Sequence, residues 1–166
     1  MSGRARLARH ETIAKAQGLL AIEPLLVGAD EDLVSVLRRA FGQPSTRVLG
    51  VVDGDGVLVG ILPIRELVYE VLGRVMPEVL LPSVVDYEGL TRFVHVVEGR
   101  TARDAMLPPA VLAETASVVD AFRLMHARMV SGLYVVDAQG RPTGYVDLLE
   151  LAAGCLEPPA DAAPTR

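Results

Sequence analysis

Cysteine and aromatic residues are scarce in this chain of 166 residues. Cys155 is the single cysteine, which excludes an internal disulfide and any cysteine-rich metal site. Tryptophan is absent, and aromatic residues make up only 4% of the chain. Hydrophobic residues still reach 51%, so we expect a packed core that is filled mainly by aliphatic side chains.

Lysine is equally rare, and the charge balance is acidic. Lys15 is the only lysine, and the net charge is −5. This balance argues against broad binding to a phosphate backbone, which needs clustered basic residues, so we predict no nucleic-acid partner.

An amphipathic helix is predicted over residues 1–22. One interpretation makes it a nucleic-acid or membrane arm. The favoured one is a helix docked beside the first unit or between protomers, because Glu11 interrupts its few basic residues, Arg4, Arg6, Arg9 and Lys15.

Long apolar runs are missing as well. No stretch reaches 18 apolar residues, and Glu23 and Pro24 break the most apolar one near the N-terminus. The first residues are basic but lack the apolar segment of a secretory signal. These features predict a protein with no membrane span and a cytoplasmic location.

Catalytic and metal-binding patterns are also lacking. His10, His95 and His126 lie on three different predicted elements, with no acid or nucleophile at a recognisable spacing. Paired-histidine, paired-cysteine, nucleophile-elbow and phosphate-loop patterns do not occur. We therefore predict that the chain is not an enzyme, that it holds no metal and that it requires no cofactor.

A duplication is the main positive feature of the sequence. The segment 51–67 (VVDGDGVLVGILPIREL) aligns without a gap on 135–151 (VVDAQGRPTGYVDLLEL), at a distance of 84 positions. Seven of the 17 aligned residues are identical, which is hard to obtain by chance.

Each copy predicts the same order of elements. An apolar β-branched run, a glycine-containing turn and a second run indicate a hairpin, at Val48–Asp53 and Val57–Leu62 in the first copy. A helix follows each hairpin, and a capped helix precedes it, with Asp30 and Ser117 as the expected caps. A short strand comes before that helix. The predicted class is therefore α/β (α+β), with two β-α-β-β-α units packed around a pseudo-two-fold axis.

This unit resembles the cystathionine β-synthase (CBS) domain, in which two apolar residues and Asp precede a glycine turn and a second strand. Two copies resemble a CBS pair, or Bateman module, and the run Thr101–Met106 (TARDAM) resembles the lead-in that often precedes such a unit. The resemblance implies unit 1 at 23–74 and unit 2 at 101–156. The residue patterns outside it predict an N-terminal helix at 1–22, a linker with a helix at 75–100 and a disordered tail at 157–166.

The same resemblance implies a ligand cleft between the units, commonly for adenosine-type ligands. The family signature there is Gly, two residues, Ser or Thr, two residues and Asp, at the start of the last helix. This chain departs from it in both copies, with Pro63 and Glu66 after Gly60, and Asp147 and Glu150 after Gly144.

These departures change which ligand is expected. Pro63 offers no hydroxyl and no N–H, and Asp147 repels a phosphate by about 3 kcal/mol at 5 Å in a medium of dielectric near 20. Glu66 and Glu150 can still accept hydrogen bonds from a ribose diol. AMP, adenosine and S-adenosylmethionine are the candidates, and a neutral or cationic adenosyl compound is favoured.

Alternatives stay open for these residues. Asp147 and Glu150 also form the pattern of a capping box, in which both acids would only satisfy backbone N–H groups. The resemblance implies that the backbone at Leu133–Val135 and the strand containing Leu112 line the pocket. Tyr134 is either a stacking partner for a base or a core residue.

The predicted function is that of a non-catalytic regulatory CBS pair that senses an adenosyl compound in the cleft between its units. The alternative is a ligand-free module for dimerisation or scaffolding that acts through a partner protein. In either case we expect a homodimer, and the partner would be an enzyme or a transporter.

Overall fold

A computed structural model of the chain describes residues 12–15, 17, 20, 22–72 and 99–156. It confirms the mixed α and β class, with two three-stranded sheets. The first repeat contains β1 (Leu26–Gly28), α1 (Leu33–Phe41), β2 (Val48–Val52), β3 (Leu58–Pro63) and α2 (Ile64–Leu72). A short helix α3 (Ala102–Ala105) precedes the second repeat, which contains β4 (Val111–Ala113), α4 (Val118–Arg128), β5 (Gly132–Val136), β6 (Pro142–Asp147) and α5 (Leu148–Leu156).

The first sheet has the order β1-β2-β3, with β1 parallel and β3 antiparallel to β2. Its hairpin turn is the predicted one. The Asp53 carboxylate accepts the backbone N–H groups of Asp55 and Val57 at 2.9 and 3.0 Å. Gly56 has φ of 78°, a conformation that glycine adopts without steric cost.

The second sheet repeats this geometry. Its order is β4-β5-β6, and Val135 pairs with Gly144 as Val51 pairs with Gly60. The Asp137 carboxylate holds the turn through two backbone N–H groups at 2.9 Å, and Gly140 again has φ of 78°. The duplication seen in the sequence therefore extends to strand register and turn geometry.

Helix caps explain where the first helix of each repeat begins. Ser117 caps α4, and its N–H and hydroxyl donate to the Asp120 carboxylate at 3.1 and 2.6 Å, as predicted. The predicted cap of α1 was wrong, because Asp32 and not Asp30 caps it. The Asp32 carboxylate accepts from Val34 N–H and Ser35 N–H at 3.0 and 3.1 Å, whereas Asp30 lies in the preceding turn and pairs with Arg103.

The chain forms two compact bodies, which do not coincide with the two repeats in sequence. The first body is Pro24–Pro109, and the second body is Met1–Glu23 together with Ala110–Arg166. Residues 101–107, which the sequence assigned to unit 2, therefore pack on the first repeat. The described residues between 12 and 20 pack on the second repeat.

Equivalent bonds fix these two lead-in segments to the two bodies. In the first body, Ala102 N–H donates to the Glu31 carbonyl at 2.9 Å, beside the start of α1. In the second body, Ile13 N–H donates to the Ala116 carbonyl at 3.0 Å, beside the start of α4. Each body thus contains one repeat and one lead-in segment.

Further contacts hold the lead-in in the first body. Leu107 exchanges two backbone hydrogen bonds with Ile61 of β3, at 2.8 and 3.0 Å. Arg100 is ion-paired with Glu70 on α2. Ala102 is fully buried in the core between β2, α1 and α2. The lead-in is therefore an integral part of this body.

Several sequence predictions fall outside the described residues. These are most of the helix at 1–22, nearly all of the linker at 75–100 and the tail at 157–166. Within the first of them, Ile13–Lys15 forms a single turn of 3-10 helix. Across the described residues, no helix combines the length and the apolar character needed to cross a membrane.

Candidate functional site

The two signature positions of the repeats differ in accessibility. Pro63 ends β3 and is partly exposed, and Glu66 lies in the first turn of α2. The Glu66 side chain is 36% exposed, and its carboxylate pairs with Arg65 at 2.9 Å, on a side chain that is 76% exposed. Such a surface ion pair contributes at most about 1 kcal/mol, so the Glu66 carboxylate stays accessible to another donor.

The equivalent acids of the second repeat are both fully buried. Asp147 and Glu150 have no exposed surface. The Asp147 carboxylate accepts from Leu149 N–H at 2.8 Å, and the Glu150 carboxylate accepts from Asp147 N–H at 3.2 Å. Both acids thus satisfy backbone N–H groups, as the capping alternative requires, although Asp147 accepts from the N–H two residues on and not three.

A second backbone donor reaches Glu150 from the other end of the sequence. Leu20 N–H lies 3.4 Å from Oε1 of Glu150, while the bond from Asp147 is made to Oε2. Both oxygens of this carboxylate are thus engaged. Because Glu150 is also fully buried, a ligand hydroxyl could reach it only after the residues that cover it move away.

Tyr134 belongs to the core of the second body. Its ring is fully buried and lies 5.2 Å from the ring of Tyr145, at an interplanar angle of 59°. The Tyr145 hydroxyl is 3.4 Å from the Asp147 carboxylate. Stacking of Tyr134 on a base would therefore require the ring to leave this contact, and the core interpretation fits the geometry.

The other predicted lining residues are brought together by strand pairing. Leu112 pairs with Val135 across β4 and β5, and Leu133 pairs with Val146 across β5 and β6. The side chains of Leu112, Leu133 and Val135 are all buried. Any contribution from these residues to a pocket would come from their backbone, as the resemblance implied.

Two close contacts above the signature glycines were not expected from the sequence. A Cβ on Gly144 would lie 2.0 Å from Nε2 of Gln17, and a Cβ on Gly60 would lie 2.5 Å from Sδ of Met106. Gln17 and Met106 occupy equivalent places in the two lead-in segments. The one signal in the sequence was the pair Thr12 and Ala16 matching Thr101 and Ala105, which is too short to stand out.

Comparisons with known proteins identify the family. Residues 102–155 match the family model described as the CBS domain. The chain is also 31% identical, over 129 residues, to a CBS domain-containing protein of Dictyostelium discoideum, an alignment that covers 75% of this chain and 82% of the relative. The chain belongs to the CBS-domain family.

Solved structures of CBS pairs share its fold. A CBS domain-containing protein of Thermotoga maritima is 22% identical, with a TM-score of 0.68 over 87% of this chain and 93% of its own. CBSX2, a CBS-pair protein from Arabidopsis thaliana, was solved in complex with AMP. That complex is 20% identical, with a TM-score of 0.62 over 87% of this chain and 96% of its own.

A third CBS pair carries other adenosyl compounds. The CBS domain pair of protein MJ0100 was solved with 5′-methylthioadenosine and S-adenosyl-L-methionine. It is 16% identical, with a TM-score of 0.60 over 86% of this chain and 93% of its own. These likenesses establish the fold of a CBS pair.

Metal-binding side chains do not cluster in the described part of the chain. Among its residues there is no set of three or more His, Cys, Asp or Glu side chains that could hold a metal ion. His126 lies exposed near the end of α4, and Cys155 is exposed on α5.

Proposed function

We propose that this protein is a regulatory CBS pair that binds an adenosyl compound, with Glu66 as the acceptor for the ribose hydroxyls. The observation that carries the proposal is the accessibility of Glu66. It stands six residues after Gly60, where the family signature has its acid. Its carboxylate forms a surface ion pair with the neighbouring Arg65. Glu150 at the equivalent place is fully buried.

The chemistry of the position favours a ligand without a phosphate chain. Pro63 stands where the signature has Ser or Thr, so neither a hydroxyl nor an N–H is offered to a phosphate at that residue. Ile64 N–H, the next along the chain, already donates to the Arg47 carbonyl at 2.8 Å. Adenosine, 5′-methylthioadenosine and S-adenosylmethionine fit this position better than AMP or ATP.

Related structures give the ligand class its support. Relatives of the same fold were solved with AMP and with 5′-methylthioadenosine and S-adenosyl-L-methionine. A ligand of this class would regulate by favouring one arrangement of the protein over another, and it can do so only through its different affinity for the two. We propose that the output passes to a partner enzyme or transporter, and that the cytoplasm is the compartment.

A titration of adenosine, AMP, ATP and S-adenosylmethionine into the purified protein tests the proposal. We expect binding of adenosine and S-adenosylmethionine, and a loss of about tenfold in affinity for Glu66→Gln, because a hydrogen bond to a charged acceptor contributes roughly 1.5 kcal/mol. Glu114→Gln, which changes an exposed glutamate outside the signature positions, is the matched control and should bind as the wild type does.

Arg65→Ala gives a second control, in which binding should not weaken. It frees the Glu66 carboxylate from its surface pair, so binding should be unchanged or slightly tighter. Absence of any calorimetric or thermal-shift response to all four compounds at millimolar concentration would reject the proposed function.

A ligand-free module for dimerisation or scaffolding is the second candidate. The capping geometry of Asp147 and Glu150 favours it, because both acids already satisfy backbone N–H groups. Exposed aromatic rings at Phe41 and Tyr69, which are 71% and 58% exposed, are also compatible with a protein contact. This candidate predicts a stable homodimer on size-exclusion chromatography with light scattering, and a monomer would remove it.

A further inference from the structure

The N-terminal lead-in lies directly on the signature position of the second repeat. We define the N-terminal strap as the described residues Thr12, Ile13, Ala14, Gln17 and Leu20. Ile13 anchors it, since its side chain is fully buried and its N–H donates to the Ala116 carbonyl. Thr12 adds an antiparallel bridge to Ser117, the cap of α4.

Two groups of the strap occupy the places that a ligand would need. The Gln17 amide fills the space above Gly144, where even a Cβ would lie 2.0 Å from its nitrogen. Leu20 N–H takes Oε1 of Glu150. The glycine and the acid of the signature are therefore both covered by the same segment.

In the first repeat, the lead-in covers the signature glycine but leaves the signature acid accessible. Its lead-in places Met106 over Gly60, in the same way as Gln17 over Gly144. Glu66, however, keeps 36% of its side chain exposed and bonds to the neighbouring Arg65 side chain, not to its lead-in. One signature position is thus open and the other is closed.

We propose that the N-terminal strap is an intramolecular competitor for the Glu150 position, so that the second repeat binds an adenosyl ligand only when the strap is displaced. This inference rests on the proposed function for the ligand class. Thermodynamic linkage makes the effect reciprocal. Release of the strap raises the affinity of the second position, and ligand bound there holds the strap off the second body.

Leu20→Pro tests the competition in the full-length protein, because it removes the N–H that bonds to Glu150. Leu20→Ala is the matched control, since it shortens the same side chain, which is 44% exposed, and keeps the N–H. With adenosine as the probe, calorimetry should give about one equivalent per chain for the wild type and for Leu20→Ala. For Leu20→Pro we expect a second equivalent, because the loss of a bond to a carboxylate weakens the strap by about tenfold.

Two further measurements locate the effect. Adding Glu150→Gln to Leu20→Pro should remove the second equivalent and leave the first. Hydrogen exchange of residues 12–20 in Leu20→Pro should become faster at saturating adenosine, whereas a merely structural segment would become no faster. Thermal unfolding of each variant shows that it is folded at the temperature of the titration.

The outcomes separate this inference from the proposed function. If adenosine binds in a Glu66-dependent way but Leu20→Pro and Leu20→Ala show equal stoichiometry and unchanged exchange, the strap is not a competitor and the proposed function stands. If both Leu20 variants gain the second equivalent, the N–H is not the controlling group and the inference fails. If no variant and no wild-type protein binds any of the four compounds, the proposed function fails and the competition fails with it.

Discussion

At the scale of single residues, Met129 has an unusual backbone conformation. It ends α4 with φ of 54° and ψ of 40°, the left-handed region that costs an L-residue roughly 1 kcal/mol. Its side chain is 84% exposed, so little packing depends on it.

Met129→Gly should therefore stabilise the protein by about 0.5–1 kcal/mol, because glycine adopts this conformation without the steric penalty. The midpoint of urea unfolding measures the gain. Met129→Ala keeps the Cβ and should show no increase, and an equal increase for both variants would contradict the backbone explanation.

Gly132 illustrates a different requirement for glycine, that of space. A Cβ there would lie 2.0 Å from the Tyr145 hydroxyl oxygen and 2.5 Å from the ring carbon that carries it. The ring of Tyr145 is itself buried against Tyr134, so it cannot swing into solvent to make room.

We expect Gly132→Ala to lower the free energy of unfolding by about 2–3 kcal/mol, since overpacking of a buried site forces neighbouring side chains off their preferred rotamers. Gly54→Ala is the control, because a Cβ at that position would meet nothing within 4 Å. Denaturant unfolding compares the two variants, and similar midpoints would show that Tyr145 relaxes freely.

Residue roles at the signature positions could be predicted only in part from sequence. The Asp147 and Glu150 spacing allowed either a capping box or a ligand contact, and one of the two bonds of the box, from Asp147 N–H to Glu150, is present. The difference between a buried Glu150 and an accessible Glu66 could not be predicted. Leu20, which bonds to Glu150 in the fold, is 130 residues away in sequence and has no pattern that links it to Glu150.

At the scale of elements, the first turns of α3 and α4 carry the same device. In each, the carboxylate at the third helical position accepts hydrogen bonds from the N–H and the hydroxyl of the residue that caps the helix. Asp104 accepts from Thr101, and Asp120 accepts from Ser117. The hydrogen bonds from Thr101 lower the pKa of Asp104 below its ordinary value, and the hydrogen bonds from Ser117 lower the pKa of Asp120 in the same way.

A lowered pKa in the folded state fixes the sign of the pH dependence. The stabilisation is fully present above the ordinary aspartate pKa, and it is lost as the pH falls through the lower folded value. Urea unfolding of Asp104→Asn/Asp120→Asn from about pH 5 to pH 3 should show a shallower loss of stability than the wild type shows. If stability falls with pH as steeply as in the wild type, then other carboxylates dominate the loss of stability at low pH.

Element boundaries followed from sequence where a local cap or turn defines them, and failed where several candidates are adjacent. Ser117 was predicted because Asp120 stands three residues on, at the spacing of a capping box. Three acids, Asp30, Glu31 and Asp32, precede α1, and only the structure shows which one reaches the first turn. Glu31 instead pairs with Arg39 at 2.7 Å, one more role that composition does not distinguish.

At the scale of the whole molecule, the division into bodies was beyond sequence reasoning. The duplication predicted two repeats and their fold, because strand register and turns are local properties of each copy. Which lead-in packs on which repeat depends on long-range contacts of a few residues. Ile13 and Ala102 make equivalent bonds, Ile13 in the second body and Ala102 in the first body. Each residue lies outside the repeat on which it packs.

This division predicts that a change near the N-terminus weakens the second repeat, 100 or so residues away, more than the first repeat that follows it directly. Ile13 is fully buried in the second body. Ile13→Ala should cost roughly 2–4 kcal/mol and Ile13→Val about 1 kcal/mol, through lost burial and the cavity left behind. Native-state hydrogen exchange should report the loss in β5 and β6 before it appears in β2 and β3. If β2 and β3 lose protection first, then Ile13 stabilises the first repeat in solution and the assignment of the strap to the second body is wrong.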